Sequence, residues 1–268
     1  MKILTALTAL TWLAIFLPSA MAQTDDERIE SAKAAFDERN YDEVLENLDP
    51  LLKRDAESDP KAELAQQMAA AAYQRRGEDH FRNARIKESI ADFDAYLKYY
   101  PAAEPDHWQR GISYYYAEEY EKGVKQFEIH KTVNPEDVEN AVWHYLCAVR
   151  APGGSVEKAE SNLIPIKRDG RIPMAEVHLM FSGEITPEEV LEAGGRGGDR
   201  GKFYADLYVG LYYEAIGEDE KANQFIARSA ISPASQNYMG DVARTHLLVR
   251  EREAEKKKAL EAAKGDVE

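Results

Sequence analysis

A single cysteine, Cys147, stands in 268 residues. That excludes an internal disulfide and any C-x-x-C metal or redox motif. Long apolar runs are equally scarce: after Leu17 no segment approaches the roughly 20 apolar residues a spanning helix needs. Positive charge is in deficit, with 34 Lys and Arg against 49 Asp and Glu, a formal net charge of −15. Such a surface repels nucleic acid and anionic membranes. None of the six histidines forms H-E-x-x-H, and nothing reads as a strand of any length. The glycines from Gly194 to Gly201 contain no G-x-x-x-x-G-K-[ST] and follow no strand, so they predict flexibility and not a phosphate cradle. His144 and Cys147 lie three apart on one predicted helix and read as structural positions. A Cys–His nucleophile also needs an orienting group and an oxyanion site, and no segment offers them. The expectation is a protein without catalytic residues, cofactor or metal.

The chain opens with Met1–Lys2, an apolar run from Ile3 to Leu17, Pro18, and the small-x-small site Ala20-Met21-Ala22. Residues 1–22 therefore read as a secretory signal peptide. Its removal takes Lys2 and leaves 33 basic against 49 acidic residues, a net −16. Gln23 occupies the position where a lipoprotein carries its acylated cysteine. A soluble periplasmic location is the expectation.

The remaining chain, 44% hydrophobic overall and 31% charged, has the composition of a helical protein with its own core. Gln109 to Pro135 reads as two antiparallel helices: Gly111 and Tyr114 on the first, a break at Glu118–Glu119, then Tyr120, Gly123 and Phe127 before Pro135. Thirty-four residues earlier stand Gly77, Ile86, Ser89, Phe93 and Pro101, with His80 at the Tyr114 position. A 34-residue period with small and aromatic residues at fixed offsets is the signature of tetratricopeptide (TPR) repeats. The small residue admits the second helix closely, the aromatic fills the gap between successive pairs, and the proline stops the helix. The predicted fold is all-α, a TPR helical-hairpin solenoid of about four to five pairs over 23–250 with a capping helix at Tyr238–Arg250. Ile29, Ala32 and Phe36 with Val44, Leu48, Leu51 and Leu52 form a degenerate first pair. Val138–Arg150 with Val156–Ile166 form an imperfect later one, and Phe203–Ile216, carrying Gly210 and Tyr213, opens the last. Thr186-Pro187-Glu188-Glu189 has the form of a helix start. Glu192–Lys202, with five glycines, reads as a mobile surface loop, and 251–268 as a charged helical tail.

The order of features resembles one family. Arg110-Gly111 leads to Tyr114-Tyr115-Tyr116, then Asn134-Pro135-Glu136-Asp137 and Trp143-His144-Tyr145-Leu146. Phe181-Ser182-Gly183-Glu184-Ile185-Thr186 follows, then Val190-Leu191, Phe203-Tyr204 and Tyr208 to Tyr213. This is similar to the NlpI family of bacterial envelope TPR proteins, over about Arg76 to Val249. The resemblance implies a helical adaptor, often dimeric, that binds cell-wall hydrolases and a periplasmic protease. The lipid anchor of those proteins is not carried over, since its cysteine is missing.

In such an array the first helices line a concave face. By spacing from Gly77 and Gly111, the residues expected there are Gln74, Phe81, Arg82, Trp108, Tyr115 and Tyr116, with Arg150 and Glu214 from later helices. Aromatics and arginines dominate interface energetics. Tyr114 takes the inward repeat position, and successive residues turn by about 100°. Tyr115 and Tyr116 therefore face either the groove or neighbouring helices. The functional expectation is a non-enzymatic adaptor that binds other proteins. The alternative is a self-associating scaffold that pairs through its Phe36- and Leu48-bearing N-terminal helices.

Overall fold

A computed structural model describes residues 23–265. The expected signal peptide over 1–22 lies outside the described residues, as do the last three positions of the expected tail. Among the described residues all regular structure is helical. Helices come in sequential pairs: α1 (Asp25–Asp37) with α2 (Tyr41–Leu52), α3 (Pro60–Arg82) with α4 (Ile86–Tyr99), and α5 (Trp108–Tyr116) with α6 (Tyr120–His130). A 3-10 turn over Pro101–Asp106 joins the second pair to the third. Then come α7 (Val138–Arg150), α8 (Val156–Ser161) and α9 (Met174–Phe181), followed by the packed series α10 (Pro187–Arg196), α11 (Gly198–Ala215) and α12 (Asp219–Ala230). The chain closes on α13 (Tyr238–Gly265).

The pairing follows from small-against-large contacts. A Cβ on Gly77 would lie 2.7 Å from the Phe93 ring, one on Gly111 2.6 Å from Phe127, and one on Gly210 2.5 Å from Ile226. Each glycine thus sets how closely the second helix of its own pair approaches. Phe93 also reaches the next unit, its ring 4.7 Å from that of His107. The inter-helix turns repeat as well. Arg39, Ala84, Glu118, Gly183 and Gly217 all have positive φ. In each case the following residue donates its N–H back five positions: Asn40 to Ala35, Arg85 to His80, Glu119 to Tyr114, Glu184 to Leu179 and Glu218 to Tyr213. This left-handed cap, with its six-to-one hydrogen bond, satisfies the last helical carbonyls while reversing the chain. At the start of α10, Thr186 and Glu189 form the reciprocal capping box, with Pro187 in the first turn.

Two expectations are corrected. Glu192–Lys202 is not a mobile loop but the crossing of α10 and α11. A Cβ on Gly201 would stand 2.3 Å from the Gly194 carbonyl oxygen, and one on Gly194 2.5 Å from Ala205 Cβ. The glycines are therefore used for close backbone approach. The helix expected over Val156–Ile166 ends at Ser161, ahead of Pro165, which has no N–H to donate. The expected capping helix runs without a break into the charged tail as α13, exposed almost throughout beyond Arg250.

The core has two parts. Ile29, Val44, Leu48, Leu51, Ala65 and Ala69 unite α1 to α3. A larger cluster runs from Phe81 to Val249 and takes in Trp143, Phe181, Phe203 and Tyr208. Cys147 is buried in it, its Sγ filling the space a Cβ on Gly123 would need, and burial pushes the thiol well above its usual value.

Candidate functional site

The face expected to be concave and open is occupied by α13. Tyr238, Asp241, Thr245, His246 and Arg250 fall on one side of that helix, at the three- and four-residue steps of a helical stripe, and each meets an expected groove residue. Phe81 is fully buried: its ring stacks on Tyr238 at 5.4 Å, and its carbonyl accepts from Thr245 Oγ1 at 3.1 Å. Arg82 Nε donates to Asp241 at 2.9 Å. Trp108 meets Tyr238 edge to face at 5.0 Å and stays half-buried. Tyr116 is buried, its hydroxyl 3.2 Å from His246 Nδ1. Gln74 stays apart, bonded to Glu78 and to His107 Nε2 at 3.0 Å each.

Tyr115, Arg150 and Glu214 meet in one buried polar knot. Tyr115 donates to Glu214 Oε2 at 2.7 Å, and Arg250 Nε donates to Oε1 at 2.6 Å. Arg150 comes within 3.4 Å and His246 within 3.9 Å of the same carboxylate oxygen. Burial by itself would raise the Glu214 carboxyl. The cationic neighbours and the Tyr115 bond outweigh it, so the group sits below its usual value. Burial pushes His246 down to about 4. Its imidazole is therefore neutral at pH 7, and the attraction on Glu214 then comes from Arg250 and Arg150. Tyr115 and Tyr116 accordingly face neighbouring helices; exposed groove aromatics at these two positions do not fit the structure.

The stripe from Tyr238 to Arg250 is the part the groove assignment missed. Its spacing marks an amphipathic helix, but nothing local shows which surface receives it.

Besides an open cleft of about 800 Å³ between its carboxyl half and Ala84, Ile86, Tyr116 and Glu118, two clefts flank α13. One, of about 340 Å³, lies beside the polar knot and is lined by Arg150, Glu214, Asn223, His246, Arg250 and Lys257, among others. The other, of about 310 Å³, opens at the amino end of α13, with walls from Trp108, Trp143, Tyr204 and Tyr238. Trp143 Nε1, Asn140 Oδ1 and Tyr238 Oη have no hydrogen-bond partner among the described residues. A buried polar atom left unpaired costs about 1–3 kcal/mol, so this cleft is where a binding partner has most to supply. Beneath it Arg171 joins Asp137, Glu139 and Asp169 at 2.5 Å each, and Tyr208 donates to Glu139 at 2.5 Å. Burial holds the Glu139 carboxyl above its usual value despite Arg171.

Among the described residues no group of three His, Cys, Asp or Glu side chains is placed to hold a metal ion. No helix there is long and apolar enough to cross a membrane. Neither a protein-family model nor a curated protein matches this chain.

Proposed function

We infer that this chain is a non-enzymatic adaptor of the bacterial cell envelope, built of TPR-type helical pairs and exported to the periplasm, where it recruits or presents another protein. The observation that carries the reading is the occupied groove. Phe81 and Arg82 on α3, Trp108 and Tyr116 on α5, and Glu214 on α11 hold α13 by apolar stacking, hydrogen bonds and ion pairs. That is the physics of helix-in-groove recognition, here satisfied by a segment of the same chain. The 34-residue offsets and the recurring turns support the TPR assignment, and the resemblance to the NlpI family supports a cell-wall hydrolase or periplasmic protease as the client.

Of the open clefts, the one at Trp108, Trp143, Tyr204 and Tyr238, with its unpaired polar atoms, suits a client best. Tyr115 and Phe81 are poorer choices for a test because they are wholly buried, whereas Tyr204 keeps 8% of its surface and Trp108 is half-buried. Trp108→Ala with Tyr204→Ala, in leader-free protein, should abolish capture of clients from the native envelope fraction while leaving the circular dichroism spectrum and melting cooperativity intact. Undiminished capture by a folded double variant would move the binding surface elsewhere. Sedimentation at several concentrations without a client would reveal the self-associating scaffold instead.

A further inference from the structure

The open cleft combines aromatic walls with an acidic floor. Asp137 and Glu139 line it, and with Asp169 they share the single guanidinium of Arg171. The amino ends of α7 and α13 add about half a positive charge each, which leaves the balance negative. Arg200, exposed, lies over Tyr204 at 5.9 Å, within the range at which aromatic faces attract cations. Asn140, only 3% exposed, gives its Nδ2 to the Phe127 carbonyl at 3.1 Å and keeps Oδ1 unpartnered. Tyr238 Oη is a second unpartnered acceptor, and Trp143 Nε1 an unpartnered donor.

We propose that this cleft receives a lysine or arginine side chain from an extended segment of a partner protein. The cation stacks on the aromatic walls and is held by Asp137, Asn140 Oδ1 and Tyr238 Oη. A backbone carbonyl of the same segment accepts from Trp143 Nε1. A polypeptide carries both groups at neighbouring positions, whereas a neutral sugar offers no charge to the acidic floor. The chain's formal net charge of −15 favours the approach of a basic partner over long range. The proposal rests on the protein-binding reading above and specifies the partner's chemistry.

Apart from Trp12 in the leader, Trp108 and Trp143 are the chain's tryptophans, so tryptophan emission reports on this cleft directly. Leader-free protein is titrated with acetyl-Gly-Arg-Gly-amide, acetyl-Gly-Lys-Gly-amide and the uncharged citrulline counterpart. A saturable change with both charged peptides is expected, with the citrulline peptide about tenfold weaker. Asp137→Asn keeps the α7 cap, since Asn and Asp cap equally well. It should weaken the charged peptides about threefold and leave the citrulline peptide unchanged. Raising salt from about 0.05 to about 0.5 M should weaken the charged peptides selectively in unaltered protein, a test that needs no variant. Equal affinity for arginine and citrulline peptides would overturn the basic-side-chain proposal while leaving a protein-binding groove in place. Saturation by a neutral N-acetylhexosamine oligomer, with no response to any peptide, would overturn both readings. Silence with every ligand would overturn the proposal alone.

Discussion

The hydroxyl of Tyr115 donates to Glu214 Oε2 at 2.7 Å across 99 positions of chain, with both side chains buried. That bond ties α5 to α11, and Arg250 on the other carboxylate oxygen adds α13. Removing one member of a buried polar cluster costs more than the cluster contributes, because the remaining groups lose their partner. Glu214→Leu should lower stability by about 3 kcal/mol, and Glu214→Gln, which still accepts from Tyr115, by about 1–2 kcal/mol. Glu214→Leu combined with Arg250→Met should recover at least half of the loss. Urea unfolding at pH 7 with unchanged m-values measures all three.

Acidification should destabilise the fold well before the carboxylates titrate. Burial lowers both His107 and His246 to about 4 in the folded chain, against about 6.5 when unfolded. Between those values the unfolded state binds more protons, so stability falls as pH falls, by up to about 1.4 kcal/mol per pH unit for each histidine. Around His246 stand Glu214, Arg250, Arg150 and Tyr116; around His107 stand Arg110, Gln74, Phe93 and Tyr96. Glu214, held below its usual value, contributes stability above that value and loses it at still lower pH. His107→Asn with His246→Asn should reduce the slope of the stability profile between pH 6.5 and 4, leaving the part due to His80 and His144, which burial also lowers. An unchanged slope would place the acid sensitivity elsewhere.

Three of the five recurring turns carry a side chain in the left-handed region: Arg39, Ala84 and Glu118. That conformation costs a non-glycine residue roughly 1–2 kcal/mol, offset in part by the freedom glycine loses on folding. Ala84→Gly and Glu118→Gly should therefore each stabilise by about 0.5–1 kcal/mol. Arg39→Gly should gain less, because Arg39 donates to Asp79 at 3.0 Å. Midpoints of chemical unfolding check the ordering.

The α10–α11 crossing separates glycines that are needed from one that is not. Gly201→Ala drives a methyl group against the Gly194 carbonyl oxygen, where backbone has to move, and should cost about 1–3 kcal/mol or more. A Cβ on Gly195 meets nothing within 4 Å, so Gly195→Ala should be neutral or stabilise by up to about 1 kcal/mol. Equal effects at the two positions would mean this segment is not a packed crossing.

Much of the fold is legible in the sequence because it is local. The offsets linking Gly77 with Phe93 and Gly111 with Phe127 are short-range, as is the Thr186 capping box. The Gly194–Gly201 region misleads because glycine serves both flexibility and close approach, and only the facing backbone distinguishes them. The candidate site was half legible. Phe81, Arg82, Trp108, Tyr116 and Glu214 do converge, but on α13, whose contacts lie up to 168 positions away in the chain. A stripe such as Tyr238, Val242, Thr245 and Val249 announces a buried face without naming the surface that buries it. The three carboxylates around Arg171 give no signal, since Asp137 and Glu139 lie on a different segment from Asp169 and nothing local joins them.

Because α13 serves as both core and groove filler, its two halves should respond differently to truncation. Residues after Arg250 are nearly all exposed, Leu260 being 63% so. Ending the chain at Arg250 loses mainly the Arg250–Glu253 pair and the bond from Arg252 to the Ala84 carbonyl, worth about 1 kcal/mol together. Ending it at Asn237 removes Val242, Ala243 and Val249 from the core and uncovers Phe81 and Tyr116. Several buried apolar side chains at about 1.5–3 kcal/mol each approach the whole stability of a domain. The shorter chain should therefore bind hydrophobic dye and melt at lower temperature without a sharp transition. A synthetic peptide of residues 238–265 added in trans should shift tryptophan emission and restore a cooperative melt, because the groove recognises that helix by its side chains and not by its covalent link. Unchanged melting of the Asn237-terminated chain would show that α13 does not belong to the core, and with it the occupied-groove argument for protein binding would fail.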